Sequence, residues 1–212
     1  MLQIQSFVFN PIQENTYILF NEQKECIIID PGMYFDEEKE ALQNFISENK
    51  LTPKLLLNTH CHLDHVFGNK FVAETYNLSL QIHKGEKPVL DFAPVVALQY
   101  NMPFDNYAGD FIYLKEGDSI KLNNDVLTII EAPGHSPASI CFYCKAQNFI
   151  IGGDVLFQRS IGRTDLPGGD YETLIGNIRN KLFVLPDETI VYSGHGEPTT
   201  IGEEKKYNPY LQ

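Results

Sequence analysis

Several features that mark common classes of protein are missing from this sequence. Its 212 residues carry 16 lysines and arginines against 28 aspartates and glutamates, and the formal net charge is −12. Lys205-Lys206 is the only pair of adjacent basic residues. Binding to a phosphate backbone requires clustered lysine and arginine, so the composition argues against a nucleic-acid partner.

Long apolar runs are also missing. No stretch of 18 apolar residues occurs, which argues against a membrane-spanning helix and a membrane partner. The first residues, Met1-Leu2-Gln3-Ile4-Gln5, have neither a basic region nor an apolar segment of the kind found in signal peptides. We therefore expect a cytoplasmic protein.

Cysteine is scarce, with four residues in the chain. Cys141 and Cys144 have the spacing of half a zinc ribbon, but the sequence contains no second pair. They also lie in an apolar run typical of a strand, on which residues three apart face opposite sides. We interpret them as structural thiols of a reduced, cytoplasmic protein.

The pattern of apolar residues predicts an α/β protein with one domain over residues 1–212. Alternating and β-branched runs predict strands at Ile4–Phe9, Asn15–Phe20, Cys26–Ile29, Lys54–Leu57, Leu80–His83, Ser119–Leu122, Val126–Ala132, Ser139–Cys144, Phe149–Ile151 and Ile190–Ser193. Helical periodicity predicts three helices, at Asp36–Asn49, over residues 66–76 and at Tyr171–Leu185. Asp36 is the expected N-cap of the first helix and Asp170 that of the third. Residues 84–116 contain three prolines, and for them we expect two short helices covering a site.

The densest chemical signal is Thr59-His60-Cys61-His62-Leu63-Asp64-His65, directly after Leu55-Leu56-Leu57. Neutral imidazole and carboxylate are suitable ligands for borderline cations such as Zn²⁺. On an extended strand end, His60 and His62 point to the same side, because side chains alternate with period 2. One ion can be shared by that pair, while Asp64 and His65 follow the turn and favour a second ion nearby.

Three further apolar strands lead into small loops, each with one candidate ligand. The loops are Ala132-Pro133-Gly134-His135, Gly152-Gly153-Asp154 and Ser193-Gly194-His195-Gly196. Glycine permits tight turns and a close approach of the backbone to an ion. His83 ends a strand of its own, and for it we favour a structural role.

Together these segments resemble the metallo-β-lactamase fold superfamily, and within it hydrolases similar to glyoxalase II. The resemblance rests on the histidine-rich heptad, Pro133-Gly134-His135-Ser136-Pro137, Gly153-Asp154 and Gly194-His195. It implies a four-layer αββα sandwich with two mixed sheets, helices outside, and metals at one rim. The resemblance implies a first metal on His60, His62 and His135, a second on Asp64, His65 and His195, and Asp154 as a bridge.

The implied chemistry is hydrolysis by an activated water. Two divalent ions, most simply zinc with iron or manganese as alternatives, lower the pKa of a shared water so that hydroxide is present at neutral pH. Asp154 would bridge the ions together with this hydroxide, and Asp64 would orient it. No Gly-x-Ser-x-Gly motif is present, and the mechanism requires no catalytic serine.

The segment Gly153–Arg163 resembles glyoxalase II, which cleaves the thioester S-lactoylglutathione. Arg163 stands where that family binds the glutathione carboxylate, and a bidentate guanidinium is suited to this task. The other interpretation is that Arg163 pairs with Asp165 or Asp170 and shapes the loop. Asp165 replaces a family aromatic, and Gly196-Glu197 lacks the family tyrosine. The long C-terminal helical segment of the family is also absent, so the chain resembles the short bacterial branch of glyoxalase II.

Alternative functions share this ligand pattern. A mononuclear iron persulfide dioxygenase has the same fold and several of the ligands, and a lactonase or β-lactamase applies the same hydroxide to another acyl group. A binding module that retains metals for folding is the non-enzymatic alternative. Four aromatic residues could line a substrate pocket, although core packing is the simpler expectation for each: Tyr100, Phe104, Tyr107 and Phe157.

Overall fold

Two six-stranded mixed sheets form the framework of this chain, of which a computed structural model describes residues 1–212. The chain divides into two compact units. Unit 1 comprises Met1–Ile82, Lys87–Tyr113 and Leu122–Asp125, and unit 2 comprises His83–Glu86, Leu114–Lys121 and Val126–Gln212. The assignment of residues 1–212 to one domain stays a prediction.

The first sheet contains six strands in the order of the sequence. They are β1 (Gln3–Phe9), β2 (Glu14–Phe20), β3 (Glu25–Ile29), β4 (Thr52–Leu57), β5 (Leu80–His83) and β6 (Phe111–Leu114). Strands β1, β2 and β3 pair antiparallel, whereas β3, β4 and β5 are parallel and need helical crossovers. The helices of this part are α1 (Asp36–Glu48), α2 (Leu63–Val66), α3 (Asn69–Tyr76) and α4 (Lys87–Gln99).

The second sheet has the order β14-β13-β10-β9-β8-β7. Its strands are β7 (Ser119–Leu122), β8 (Asp125–Glu131), β9 (Ile140–Cys144), β10 (Phe149–Gly153), β13 (Ile190–Ser193) and β14 (Thr199–Thr200). A small hairpin of β11 (Leu156–Phe157) and β12 (Ser160–Ile161) follows β10. The helices are α5 (Tyr171–Asn177), which continues as a π-helical turn over Ile178–Leu182, and α6 (Ile201–Tyr207).

Each unit buries an apolar core of its own. In unit 1 the core contains Ile18, Ile28 and Leu56, which are fully buried. In unit 2 Ile150 and Leu174 are buried in the same way. Apolar burial is the main driving force for folding, so these cores support the strand ends that carry the polar residues described below.

The predicted strands and the three predicted helical regions are present, with differences at their ends. The helix predicted over residues 66–76 is divided into α2 and α3. The prediction of Asp36 as an N-cap was wrong, because Phe35 holds that position and Glu38 accepts hydrogen bonds from the N–H groups of Tyr34 and Phe35 at 2.7 and 3.0 Å. Asp170 does cap α5, accepting a bond of 2.8 Å from the Thr173 N–H.

Residues 84–116 differ most from expectation. Two short helices were predicted, but the segment contains a short 3₁₀ turn, the single 13-residue helix α4 and strand β6. Pro94 lies inside α4, where it removes one N–H donor without ending the helix. None of the helices of this protein is long and apolar enough to cross a membrane.

Candidate metal centre

The four candidate ligands of unit 1 lie close together on the segment that follows β4 and enters α2. The His60 ring centroid lies 4.8 Å from that of His62 and 4.2 Å from that of His65. Asp64 Oδ2 lies 3.6 Å from His65 Nε2. His60 and His65 are fully buried, and α2 begins directly after His62. The turn into this helix brings the two later ligands back beside the first two.

Asp30, which directly follows β3, orients this loop. Its Oδ1 accepts hydrogen bonds from the Thr59 N–H at 2.7 Å and from Asn58 Nδ2 at 3.1 Å. Its Oδ2 accepts the Thr59 hydroxyl at 2.6 Å and lies 3.1 Å from His65 Nδ1. A histidine whose Nδ1 faces a carboxylate presents its Nε2 as the ligand atom, which is the arrangement typical of metal sites.

Two further polar residues support the loop, Asn10 directly after β1 and Glu14 at the start of β2. The Asn10 side-chain amide donates to the carbonyls of Gly32 at 2.9 Å and Asp64 at 3.0 Å. Glu14 is fully buried, with its Oε1 at 3.8 Å from His65 Nδ1, and burial raises its pKa well above the ordinary value. Burial of this carboxyl group disfavours its charged form, and its Oε2 also accepts the Thr16 hydroxyl at 2.9 Å.

Unit 2 brings its three candidate ligands together around one oxygen. His135 Nε2 and His195 Nε2 each lie 3.5 Å from Asp154 Oδ2. His135 follows β8, Asp154 follows β10 and His195 follows β13. Strands β10 and β13 are parallel, and β8 runs in their direction because both β8 and β10 are antiparallel to β9. The carboxyl ends of these strands therefore meet at one edge of the sheet.

The His135 ring is fixed by a backbone carbonyl. His135 Nδ1 lies 2.7 Å from the carbonyl oxygen of Arg163, which leaves Nε2 toward Asp154. Gly162 permits this approach, because a Cβ there would lie 1.9 Å from the Asp154 carbonyl oxygen and 3.0 Å from His135. The chain segment after β12 can pass this close only without a side chain at position 162.

A buried carboxyl group supports the loop that carries His135. Glu86 is fully buried, and the Ser136 hydroxyl approaches its two oxygens at 2.7 and 2.8 Å. Glu86 Oε1 also accepts the Ala138 N–H at 2.8 Å. This contact joins two segments of unit 2 that are 50 residues apart in sequence, which is why sequence patterns could not indicate it.

We expect Glu86→Ala to lower the free energy of unfolding by about 2–4 kcal/mol, because two buried donors, on Ser136 and Ala138, would lose their acceptor. Denaturant unfolding measures this loss. The matched control is Glu48→Ala at the exposed end of α1, which should change stability by less than about 0.5 kcal/mol. Equal stability of the two variants would contradict a supporting role for Glu86.

The Arg163 side chain pairs with Asp165, as the second interpretation of this residue stated. The Nε–Oδ1 and Nη2–Oδ2 distances are both 2.7 Å, and the guanidinium lowers the pKa of Asp165 to about 2. Of the candidate pocket aromatics, Tyr107 is buried in the core and Tyr100 is exposed. Phe157 has its ring centroid 6.2 Å from that of His195, which places it beside a candidate ligand.

The donor atoms of both units are chemically suited to a divalent metal ion. Imidazole and carboxylate are ligands that zinc, iron and manganese accept in proteins. His65 and His135 each direct Nδ1 to an oxygen acceptor, so that the opposite nitrogen faces the neighbouring candidate ligands. Within unit 1, the nearest ligand atoms of Asp30, His60 and His65 lie within 4.8 Å of one another.

Comparisons with known proteins agree with the fold. Residues 9–195 match the model of the metallo-beta-lactamase superfamily. The chain is 38% identical over 212 residues to hydroxyacylglutathione hydrolase GloC of Haemophilus influenzae, covering 99% of this chain and 98% of the relative. The crystal structure of BLEG-1 B3 metallo-beta-lactamase matches with a TM-score of 0.90 at 37% identity, covering 99% and 100% of the two chains.

A second solved structure, TTHA1623 in a di-iron-bound form, matches with a TM-score of 0.87 at 32% identity, covering 98% of this chain and 100% of that one. The two mixed sheets and their helices match the fold of these structures. The family resemblance found in the sequence motifs is therefore confirmed.

Proposed function

The chain belongs to the metallo-beta-lactamase superfamily and is a hydrolase of that superfamily, and we propose that it cleaves an acyl thioester such as S-lactoylglutathione. The observation that carries the thioester proposal is the similarity to GloC, which extends over nearly the whole of both chains. The proposal includes a small-molecule substrate, no nucleic-acid or membrane partner, and a cytoplasmic location. The acidic charge supports the absence of a nucleic-acid partner, and four buried cysteines outside any disulfide suit a reducing compartment.

We assign the metal ligands as the family pattern implies. His60, His62 and His135 would hold one ion, Asp64, His65 and His195 a second, and Asp154 both. Support for Asp154 as the shared ligand comes from its Oδ2, which lies 3.5 Å from one histidine of each proposed set, His135 and His195. Zinc is the proposed metal, with iron or manganese as alternatives, and the di-iron form of the TTHA1623 relative favours a site for two ions.

The protein's own residues have distinct tasks in the proposed reaction. When bound, two divalent ions would supply a water of lowered pKa and a positive charge for the acyl oxygen and the departing thiolate. Asp64, with 11% of its side chain exposed, can accept a hydrogen bond from the attacking water at Oδ1 or Oδ2 and so orient it. Asp30 and the Arg163 carbonyl hold the rings of His65 and His135 in place.

A second acyl substrate is supported by a different observation. BLEG-1, which its title describes as a B3 metallo-beta-lactamase, is 37% identical and has a TM-score of 0.90. The same activated water could attack a β-lactam or a lactone, since both contain an acyl carbonyl. We place this function second because the segment Gly153–Arg163 resembles glyoxalase II, a thioester hydrolase.

A substrate panel separates these functions. We expect zinc-loaded protein to hydrolyse S-lactoylglutathione with a higher kcat/KM than a lactone or a β-lactam, measured by loss of thioester absorbance and by ring opening. Faster opening of the lactone or the lactam would replace the thioester proposal with the second function. Oxygen uptake with glutathione persulfide by iron-loaded protein, without thioester cleavage, would instead identify a dioxygenase.

A further inference from the structure

Arg163 has two separate contacts within unit 2. Its carbonyl oxygen lies 2.7 Å from His135 Nδ1 and so fixes a candidate metal ligand. Its guanidinium points to Asp165, and the two side chains are 57% and 69% exposed. The backbone of Arg163 therefore contacts a candidate ligand, while its guanidinium is exposed at the surface, where it can contact a substrate.

The contact with Asp165 uses the edge of the guanidinium that recognises carboxylates. Nε donates to one carboxylate oxygen and Nη2 to the other, both at 2.7 Å. Two parallel hydrogen bonds of this kind are the geometry by which arginine binds a carboxylate of a ligand. A substrate carboxylate that approached this edge would have to displace Asp165 first.

The loop holds Asp165 in this position. At one end the Arg163 carbonyl contacts His135, and at the other the Asp170 N–H donates to the Gly134 carbonyl at 2.7 Å. Both ends of residues 163–170 are thus attached to the same pair of neighbouring residues, Gly134 and His135. A loop closed in this way has little freedom, so the pair with Arg163 forms at a small entropic cost.

Protonation does not release the arginine. The guanidinium lowers the pKa of Asp165 to about 2, so the carboxylate stays charged at any pH near neutrality. The competition between Asp165 and a substrate carboxylate is therefore constant across the working range of a neutral-pH enzyme.

We propose that Asp165 is a specificity-determining residue, which occupies the carboxylate-binding edge of Arg163 and so disfavours acyl thioesters that carry a carboxylate there. The inference rests on the proposed thioester hydrolysis and refines its substrate class. On this basis, the protein favours acyl thioesters with a neutral thiol portion over those with an anionic thiol portion. Because an exposed ion pair is weak, we expect Asp165 to lower the ratio of kcat/KM for an anionic over a neutral thioester by only about three- to fivefold.

The test compares an anionic with a neutral substrate. S-Lactoylglutathione carries carboxylates, whereas the lactoyl thioester of N-acetylcysteamine carries no charge. We expect Asp165→Asn and Asp165→Ala to raise the ratio of kcat/KM for the anionic over the neutral thioester about three- to fivefold, chiefly through a lower KM for the anionic one. In an Arg163→Ala background the same changes should leave the ratio constant, because no guanidinium is released.

Glu172→Gln is the control for charge alone. Glu172 is an exposed residue in the first turn of α5, and its replacement removes the same charge from the same unit. The ratio should not change in this variant. The proposal would be overturned if the ratio stayed unchanged in both Asp165 variants. It would also be overturned if Glu172→Gln raised the ratio equally, or if the rise persisted in the Arg163→Ala background.

A binding measurement separates this inference from the proposed function. If the wild-type protein cleaved neither thioester, the thioester proposal would fail, while the role of Asp165 could still be measured by calorimetry with S-methylglutathione. Asp165→Ala should bind this compound about three- to fivefold more tightly than wild type. Equal affinities would overturn the inference even where the wild-type protein cleaves thioesters.

Discussion

Replacing His60 by alanine should remove most of the bound metal and lower kcat/KM by more than about a hundredfold. His60 is fully buried beside the rings of His62 and His65, and alanine has no nitrogen to replace that of the imidazole. Loss of a residue that merely orients a ligand costs about 10- to 100-fold in metal affinity or activity, and loss of the ligand itself should exceed that. Elemental analysis and the thioester assay measure the two effects on the same sample.

His83→Ala is the matched control, since it removes the one histidine outside the proposed ligand set. His83 Nε2 lies 3.2 Å from Glu131 Oε1, and its side chain is 24% exposed. An ion pair of this kind contributes little, so the variant should keep its metal content and its turnover. Wild-type activity in His60→Ala, or an equal loss of metal in both variants, would contradict the assignment of His60.

Asp154→Asn should lower kcat by about a hundredfold or more and reduce the metal content of the protein. The asparagine keeps the shape of the side chain but removes the negative charge that lies 3.5 Å from both His135 Nε2 and His195 Nε2. A neutral amide is a poorer ligand for a divalent cation than a carboxylate, and each metal ligated by Asp154 should bind more weakly. Steady-state kinetics at saturating zinc and a metal-binding titration measure these losses.

Asp91→Asn makes the same chemical change at an exposed ion pair with Lys87 on α4. This variant should match wild type in both measurements, because exposed ion pairs contribute little to stability. Full turnover by Asp154→Asn at ordinary zinc concentrations would show that the charge of Asp154 is not needed and would refute its role as a shared ligand.

The strand-end pattern was the part of the candidate site that sequence could predict. His135, Asp154 and His195 each follow an apolar run and a glycine-containing turn, whereas the common direction of their strands is known only from the strand pairing. Apolar periodicity reveals the positions of the strands well, so the placement of these residues at strand ends could be predicted. The structural role of His83 stays a prediction.

The supporting residues could not be predicted, because their contacts depend on the pairing of distant strands. Asp30 reaches Thr59 only because β3 and β4 are parallel and place Ile29 beside Leu57. Glu86 lies in the segment whose structure the prolines obscured, and it contacts Ser136 across 50 residues. A buried acid in a loop carries no periodic signal, since its partners belong to other elements.

The role of Arg163 shows a different limit of prediction from sequence. Sequence indicated both a substrate carboxylate and Asp165 as partners, and spacing alone cannot rank two partners of equal chemistry. The guanidinium makes two bonds of 2.7 Å to Asp165, so a substrate carboxylate would have to compete with Asp165 for it.

A zinc titration of metal-depleted protein, followed by the rate of S-lactoylglutathione cleavage, tests the proposed two-metal thioester hydrolysis most directly. We expect no cleavage without metal, and a cleavage rate that rises until about two ions are bound per chain. Full activity at one ion per chain, or no cleavage at any zinc content, would contradict it.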